Sequence, residues 1–108
     1  MPPIGKLEVS GKSGKSYTFN IYILNTDFKD RGGLYLFTKY VNSEHDPIYL
    51  GQTQDLSSRF TNHHKEKCIT KHGATHVSIC RIENEKERID AETDILGYYD
   101  FPCNERNN

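Results

Sequence analysis

Tyr35 and Tyr49 each stand among aliphatic neighbours in short apolar stretches, Gly33 to Phe37 and Ile48 to Gly51. Arg59 and His63 follow, four residues apart, so a helix here sets a guanidinium and an imidazole on one face. Glu92 lies three residues after Ile89, three before Ile95 and four before Leu96, which places it inside the apolar stripe of a second predicted helix. Asn104 comes last. A surface built only for packing has little use for two phenols, two nitrogen bases and a carboxylate that cannot easily turn to water. Phosphodiester hydrolysis needs an activated water, charge stabilisation at phosphorus and help for the leaving oxygen, and a divalent ion can serve the last two. Burying a lone carboxylate is costly, so Glu92 should have a cation or metal partner. Mg²⁺ keeps several waters and accepts few carboxylates, so a one-acid site is chemically reasonable. Arg59 suits bidentate contact with a phosphate. A phenol with a free pKa of about 10 is a poor base unless Arg59, His63 or a lysine stabilises its anion, and the residues do not rank the two tyrosines. Each residue also has a plainer reading. Strand tyrosines are usually core, Glu92 can pair with Arg88 one turn earlier, Arg59 can be an ordinary surface cation, and Asn104 a polar tail residue.

The same residues carry a family resemblance. Gly33-Leu34-Tyr35 and Tyr49-Leu50-Gly51 resemble the two tripeptides that name the GIY-YIG nucleases, with leucine where isoleucine is usual. Gly51-Gln52-Thr53, Arg59, Glu92 and Asn104 follow in the family's order, so the match runs from about Gly32 to Asn104. The resemblance implies a metal-dependent DNA endonuclease that cuts one strand per active site by direct water attack. It implies one divalent ion, Mg²⁺ or Mn²⁺, held largely by Glu92. It further implies Tyr35 as the base, Tyr49 orienting water or phosphate, and His63 at a position that often holds His or Tyr. Asn104 would fix Tyr49 or the second helix by hydrogen bonds. Such domains usually come attached to a separate DNA-reading module. None is visible, so specificity would come from the N-terminal hairpin, a protein partner or a homodimer. Small free-standing members resemble nucleases of phages, mobile elements, repair or recombination, acting on single-stranded, branched or weakly specific duplex DNA.

Composition bounds these readings. The chain has 108 residues, enough for one domain with a modest core. Its 34% apolar share and 11% aromatics suit a polar-surfaced folded protein. The net charge of -1 counts mildly against a nucleic-acid binder. The distribution is more favourable. Arg59 to His72 holds Arg59, Lys65, Lys67 and Lys71 with three histidines against Glu66 alone, whereas Glu83 to Asp100 holds seven acids. Lys12, Lys15, Lys39, Gln52, Arg59, His64, Lys65, Lys67 and Lys71 are the candidate DNA contacts. No apolar run is long enough to span a bilayer and no signal-peptide pattern opens the chain, so the expected setting is cytoplasmic or nucleoid-associated. Three cysteines without paired spacing agree with reduced thiols.

Two other function classes stand beside the nuclease. One is a non-catalytic nucleic-acid-binding or accessory module. The other is a structural-zinc interaction domain built from His63, His64, Cys68, His72 and Cys80, although that spacing matches no paired Cys/His pattern and His63 to Cys68 is not a helical i,i+4 pair.

The elements that must position these groups follow from periodicity. Lys6 to Val9 and Tyr17 to Ile23 alternate around a Ser/Gly/Lys turn and read as a hairpin. That turn lacks phosphate-loop spacing. Leu24 to Arg31 reads as a linker with Phe28 as packing anchor. Leu34 and Leu36 fall on one face of a strand, Tyr35 and Phe37 on the other. Lys39 to Pro47 reads as a polar hairpin loop and Tyr49 sits in the second strand. Thr53 or Asp55 can cap a helix over Leu56 to Lys67. Ile69 to Gly73 reads as a loop, Thr75 to Arg81 as a third core strand, and Glu83 to Tyr99 as a helix with Ile89, Ile95 and Leu96 as its stripe. The expected fold is α+β: a small central three-stranded sheet, mixed or antiparallel, flanked by helices. Residues 1–31 would form an N-terminal β-hairpin extension and linker, and residues 32–108 the nuclease-like domain.

Overall fold

The computed structural model describes residues 2–58 and 64–104. Alternating sequence sets the first two strands, β1 (Gly5–Ser10) and β2 (Ser16–Ile23), joined by a turn in which the Gly11 N–H donates to the Lys15 carbonyl at 2.8 Å. β3 (Gly33–Val41) and β4 (Glu44–Thr53) form a second hairpin. Its turn is only Asn42-Ser43, both at positive φ (54° and 65°), the backbone shape that matches strand twist in two-residue hairpins. The polar loop expected over Lys39 to Pro47 is therefore mostly strand. Pro47 is tolerated because β4 lies at the sheet edge and a bulge interrupts the pairing between Phe37 and Thr38.

After β4 come helix α1 (Glu66–Lys71), strand β5 (His76–Arg81) and helix α2 (Glu85–Leu96). The sheet order is β1-β2-β5-β3-β4, antiparallel throughout. This corrects the expected architecture: the protein is mostly β, a curled five-stranded half-barrel with two short helices, and not a three-stranded sheet flanked by helices. The first hairpin is part of the main sheet and not an appendage to it. Ser78 of β5 faces Ile21 on one side and Leu36 on the other, which welds the two hairpins together.

Each face of the sheet carries its own core. Leu34, Leu36, Leu50 and Phe19 are buried with Ala91 and Ile95 of α2 and with Phe101. Tyr35, Phe37, Val77 and Ile79 are buried on the opposite side with Leu56, Ile69 and Cys103. The predicted division of Leu34 and Leu36 from Tyr35 and Phe37 is the division between these two cores. Phe28 anchors the linker by an edge-on contact with Tyr22, ring centroids 5.0 Å apart.

Both helices differ from expectation. Leu56 to Ser58 form a turn in which Asp55 Oδ1 accepts from the Ser57 amide at 2.9 Å, the bond a helix cap makes, and Thr53 Oγ1 accepts from the Asp55 amide at 3.1 Å; residues 59–63 of the expected helix lie outside the described residues. Asn84 caps α2 by accepting from the Glu87 amide at 2.9 Å, so that helix starts two residues later than expected. Its buried face is Arg88, Ala91 and Ile95, while Ile89 is 42% exposed.

Candidate functional site

The two tyrosines meet because of cross-strand register. Tyr35 pairs with Gly51 and Phe37 with Tyr49, so Tyr35 and Tyr49 are diagonal neighbours, ring centroids 6.1 Å apart and tilted by 42°. The Tyr35 ring lies across Gly51, where a Cβ would overlap its phenol carbon and oxygen. The second tripeptide thus needs its glycine for the first tripeptide's tyrosine. The hydroxyls share a hydrogen bond with Tyr35 donating, which pushes the Tyr35 phenol up and pulls the Tyr49 phenol down. Burial dominates both and raises both above the ordinary tyrosine value, Tyr35 most, with the Glu92 charge adding to each.

Glu92 is half-buried on α2, and its carboxyl is held above the usual range by desolvation. Among the described residues it has no hydrogen bond and no ion pair. The plainer pairing with Arg88 is not made. Arg88, buried at 3% exposure, instead donates from Nε to Gln52 Oε1 at 2.7 Å and from its guanidinium to the carbonyls of Ile82 and Glu83. Arg88 thereby ties α2 to the ends of β4 and β5. Gln52, a candidate DNA contact, has its amide oxygen engaged in this structural bond.

Asn104 acts on the strand that carries Tyr49. Its Oδ1 accepts from the Leu50 amide at 2.8 Å and its Nδ2 donates to the Leu50 carbonyl at 2.9 Å. The Cys103 amide donates to the Ile48 carbonyl at 3.0 Å. Residues 103–104 therefore bond the outer edge of β4 and pin the backbone on either side of Tyr49. The expected target, Tyr49 or the second helix, is displaced by one residue to the Leu50 backbone.

The sequence reading of three reduced thiols is corrected: Cys68 and Cys103 form a disulfide, leaving Cys80 free. The bond joins α1 to the segment that clamps β4. Even spacing was absent because one cysteine of three lies outside the bridge. His72, one helical turn after Cys68, packs against both sulfurs.

The remaining candidates divide into groups. His64 is exposed and sets its ring edge-on to Tyr49, centroids 6.2 Å apart. His64, Lys65, Lys67 and Lys71 line one open depression of about 610 Å³ together with Cys68, His72 and Pro102, so the basic stretch stands beside Tyr49. Lys12 and Lys15 sit elsewhere, in the first hairpin turn, which docks on α2 at Asp94. The Ser13 hydroxyl donates to Asp94 at 2.6 Å and the Tyr17 hydroxyl at 2.8 Å, which holds that carboxyl low; desolvation, and then the bond to Asp94, push Tyr17 up to about 12. Lys39 lies exposed on the outer half of β3 beside Gly73. Arg59 and His63 lie outside the described residues.

The assembled site holds two phenols in a hydrogen-bonded pair, a half-buried carboxylate without a partner among the described residues, and an adjacent basic depression. Such a set can hold a water and a phosphate oxygen and can take one hard divalent cation. Sequence reasoning missed Arg88 as the buried brace, Asp94 as the hairpin's anchor, and the Cys68–Cys103 bond. Compared with known proteins, the chain matches no family model, no curated protein and no solved structure.

Proposed function

We propose that the chain is a divalent-metal-dependent DNA endonuclease of the GIY-YIG type, cutting one strand per site by direct attack of water. The observation that supports this best is Glu92. It is a half-buried carboxylate without a partner among the described residues, within electrostatic reach of both phenols. A fold has no packing reason to keep such a group. An oxygen-only donor exposed on one side fits Mg²⁺ or Mn²⁺, which retain most of their waters. When bound there, the ion supplies charge stabilisation at the phosphorus and at the leaving oxygen.

The chain's own groups do the rest. Tyr35 donates a hydrogen bond to the Tyr49 oxygen. Tyr35 is the harder of the two to ionise, so we assign it to holding Tyr49. Tyr49 is also raised by burial, but that bond eases its ionisation, and as the phenolate it is the group better placed to take a proton from water once a cation offsets the Glu92 charge. His64 and the three lysines of the adjacent depression supply a cationic floor for the DNA backbone. Arg59 belongs to the same reading through the family motif, as the scissile-phosphate contact, and His63 as its helical neighbour.

The test compares wild type with Glu92→Gln on single-stranded, duplex and branched DNA, in Mg²⁺, in Mn²⁺ and in EDTA. Cleavage should require the ion and fall at least a hundredfold in the variant. A folded wild type that binds these DNAs and cleaves none would make it a binding module.

A further inference from the structure

Cys68 and His72 lie one turn apart, at the start of the last turn of α1 and at its C-cap, and Cys103 reaches them from the C-terminal segment. Their ligand atoms all fall within 4.8 Å of one another. His72 Nδ1 stands 3.7 Å from Cys68 Sγ and 3.7 Å from Cys103 Sγ. With Zn–S of about 2.3 Å and Zn–N of about 2.0 Å, a tetrahedral ion separates a nitrogen and a sulfur ligand by about 3.6 Å. Two edges of the ligand triangle already have that length, and the third is occupied by the covalent sulfur–sulfur bond. His72 thus stands equally near both sulfurs while its Nδ1 bonds the Cys68 carbonyl at the end of α1.

We infer that the reduced protein binds one thiolate-seeking divalent ion of the zinc class through Cys68 Sγ, Cys103 Sγ and His72 Nδ1, so that disulfide and metal site are alternative states of one locus. The interconversion balances simply. A dithiol reductant supplies two electrons and two protons, the sulfur–sulfur bond breaks to two thiols, and the reductant leaves as its own disulfide. The ion then displaces both thiol protons and coordinates two thiolates. Nδ1 exchanges its hydrogen bond to the Cys68 carbonyl, 2.9 Å in the oxidised form, for the metal, with the ring proton on Nε2. Water takes the fourth position, since His72 is exposed and the locus opens into the basic depression.

Both states fasten α1 to residues 103–104 and so keep the clamp on β4. Only the reduced, metal-free state releases it. The inference stands on these three side chains and does not depend on the nuclease reading.

The test is a titration of reduced, reductant-free protein with Zn²⁺ and, separately, with Co²⁺. The thiolate-to-cobalt charge-transfer absorption reports sulfur ligation and is blind to an ion at Glu92. One ion per chain should bind to the reduced protein and none to the oxidised protein with this signature. Cys80→Ser should bind as wild type. His72→Ala, a change at an exposed side chain, should still form the disulfide but bind at least tenfold more weakly. No charge-transfer band in the reduced wild type, undiminished binding by His72→Ala, or loss of binding in Cys80→Ser would each overturn the inference.

Discussion

Reducing the Cys68–Cys103 bond should lower the melting temperature by about 15 °C. The bond closes a loop across a sequence separation of 35. Loop-closure entropy for that length gives about 4 kcal/mol at room temperature, as constraint removed from the unfolded chain. For a chain of this size, 1 kcal/mol moves the melting temperature by roughly 4 °C. The assay is a pair of thermal melts followed by circular dichroism, oxidised and fully reduced. EDTA keeps adventitious metal off the freed thiols, and thiol titration confirms complete reduction. The loss should also be localised. Amide exchange should quicken first at Cys103 and Leu50, whose N–H groups donate to Ile48 O and Asn104 Oδ1, and last in the β2, β5 and β3 strands. A reduced protein that melts within two or three degrees of the oxidised one would refute the reasoning, because it would mean that the hydrogen bonds of residues 103–104 hold the loop closed unaided.

Four further outcomes follow from the site. Gly51→Ala should cost about 1–3 kcal/mol in urea denaturation, since its methyl group must displace the Tyr35 ring; a variant as stable as wild type would place that ring elsewhere. Asn104→Ala should cost about 2 kcal/mol by removing two hydrogen bonds to Leu50, and Asn104→Asp, which sets a carboxylate oxygen against the Leu50 carbonyl, should cost at least as much. Ser78→Ala should stabilise by about 1 kcal/mol, because the Ser78 hydroxyl is buried without a partner among the described residues. Glu92 carries a sign that can be checked. Its folded pKa is raised, so the folded state holds the proton more tightly; its favourable contribution is complete below the unfolded pKa and is lost as pH rises through the folded value. In EDTA, Glu92→Gln should therefore gain stability over wild type as pH rises from the carboxylate range to neutrality. Excess Mg²⁺ should narrow the gap at neutral pH. A gap that stays flat with pH would mean that the carboxylate is solvated or paired.

What was legible in the sequence was local. Strand alternation separated Leu34 and Leu36 from Tyr35 and Phe37, and the tripeptides brought Tyr35 and Tyr49 together because their register is set by a tight hairpin. Glu92 was expected on the buried face from the positions of Ile89, Ile95 and Leu96. It is half-buried, but beside Arg88, Ala91 and Ile95, with Ile89 turned to solvent. The sheet order was not legible. The pairing of Ile21 and Leu36 with Ser78 joins residues more than forty positions apart, and nothing in a strand's own pattern names its neighbour. Of the helix expected over Leu56 to Lys67, Leu56 to Ser58 form a turn and α1 begins only at Glu66, while residues 59–63 lie outside the described residues. The disulfide was hidden by parity, since an odd cysteine count argues against pairing only when every cysteine must pair.

The placement of β5 has a consequence for how the chain comes off the ribosome. Each hairpin can zip as soon as its second strand emerges, because its pairs are close in sequence. Until residues 76–81 follow, though, the nascent chain holds two ribbons whose inner edges, along β2 and β3, are open to whatever strand arrives first. The strand that must fill both edges is made last of the five, and it is one of the shortest. Productive folding is thus a race between one late six-residue segment and the pairing of the two waiting ribbons with each other or with a neighbouring chain.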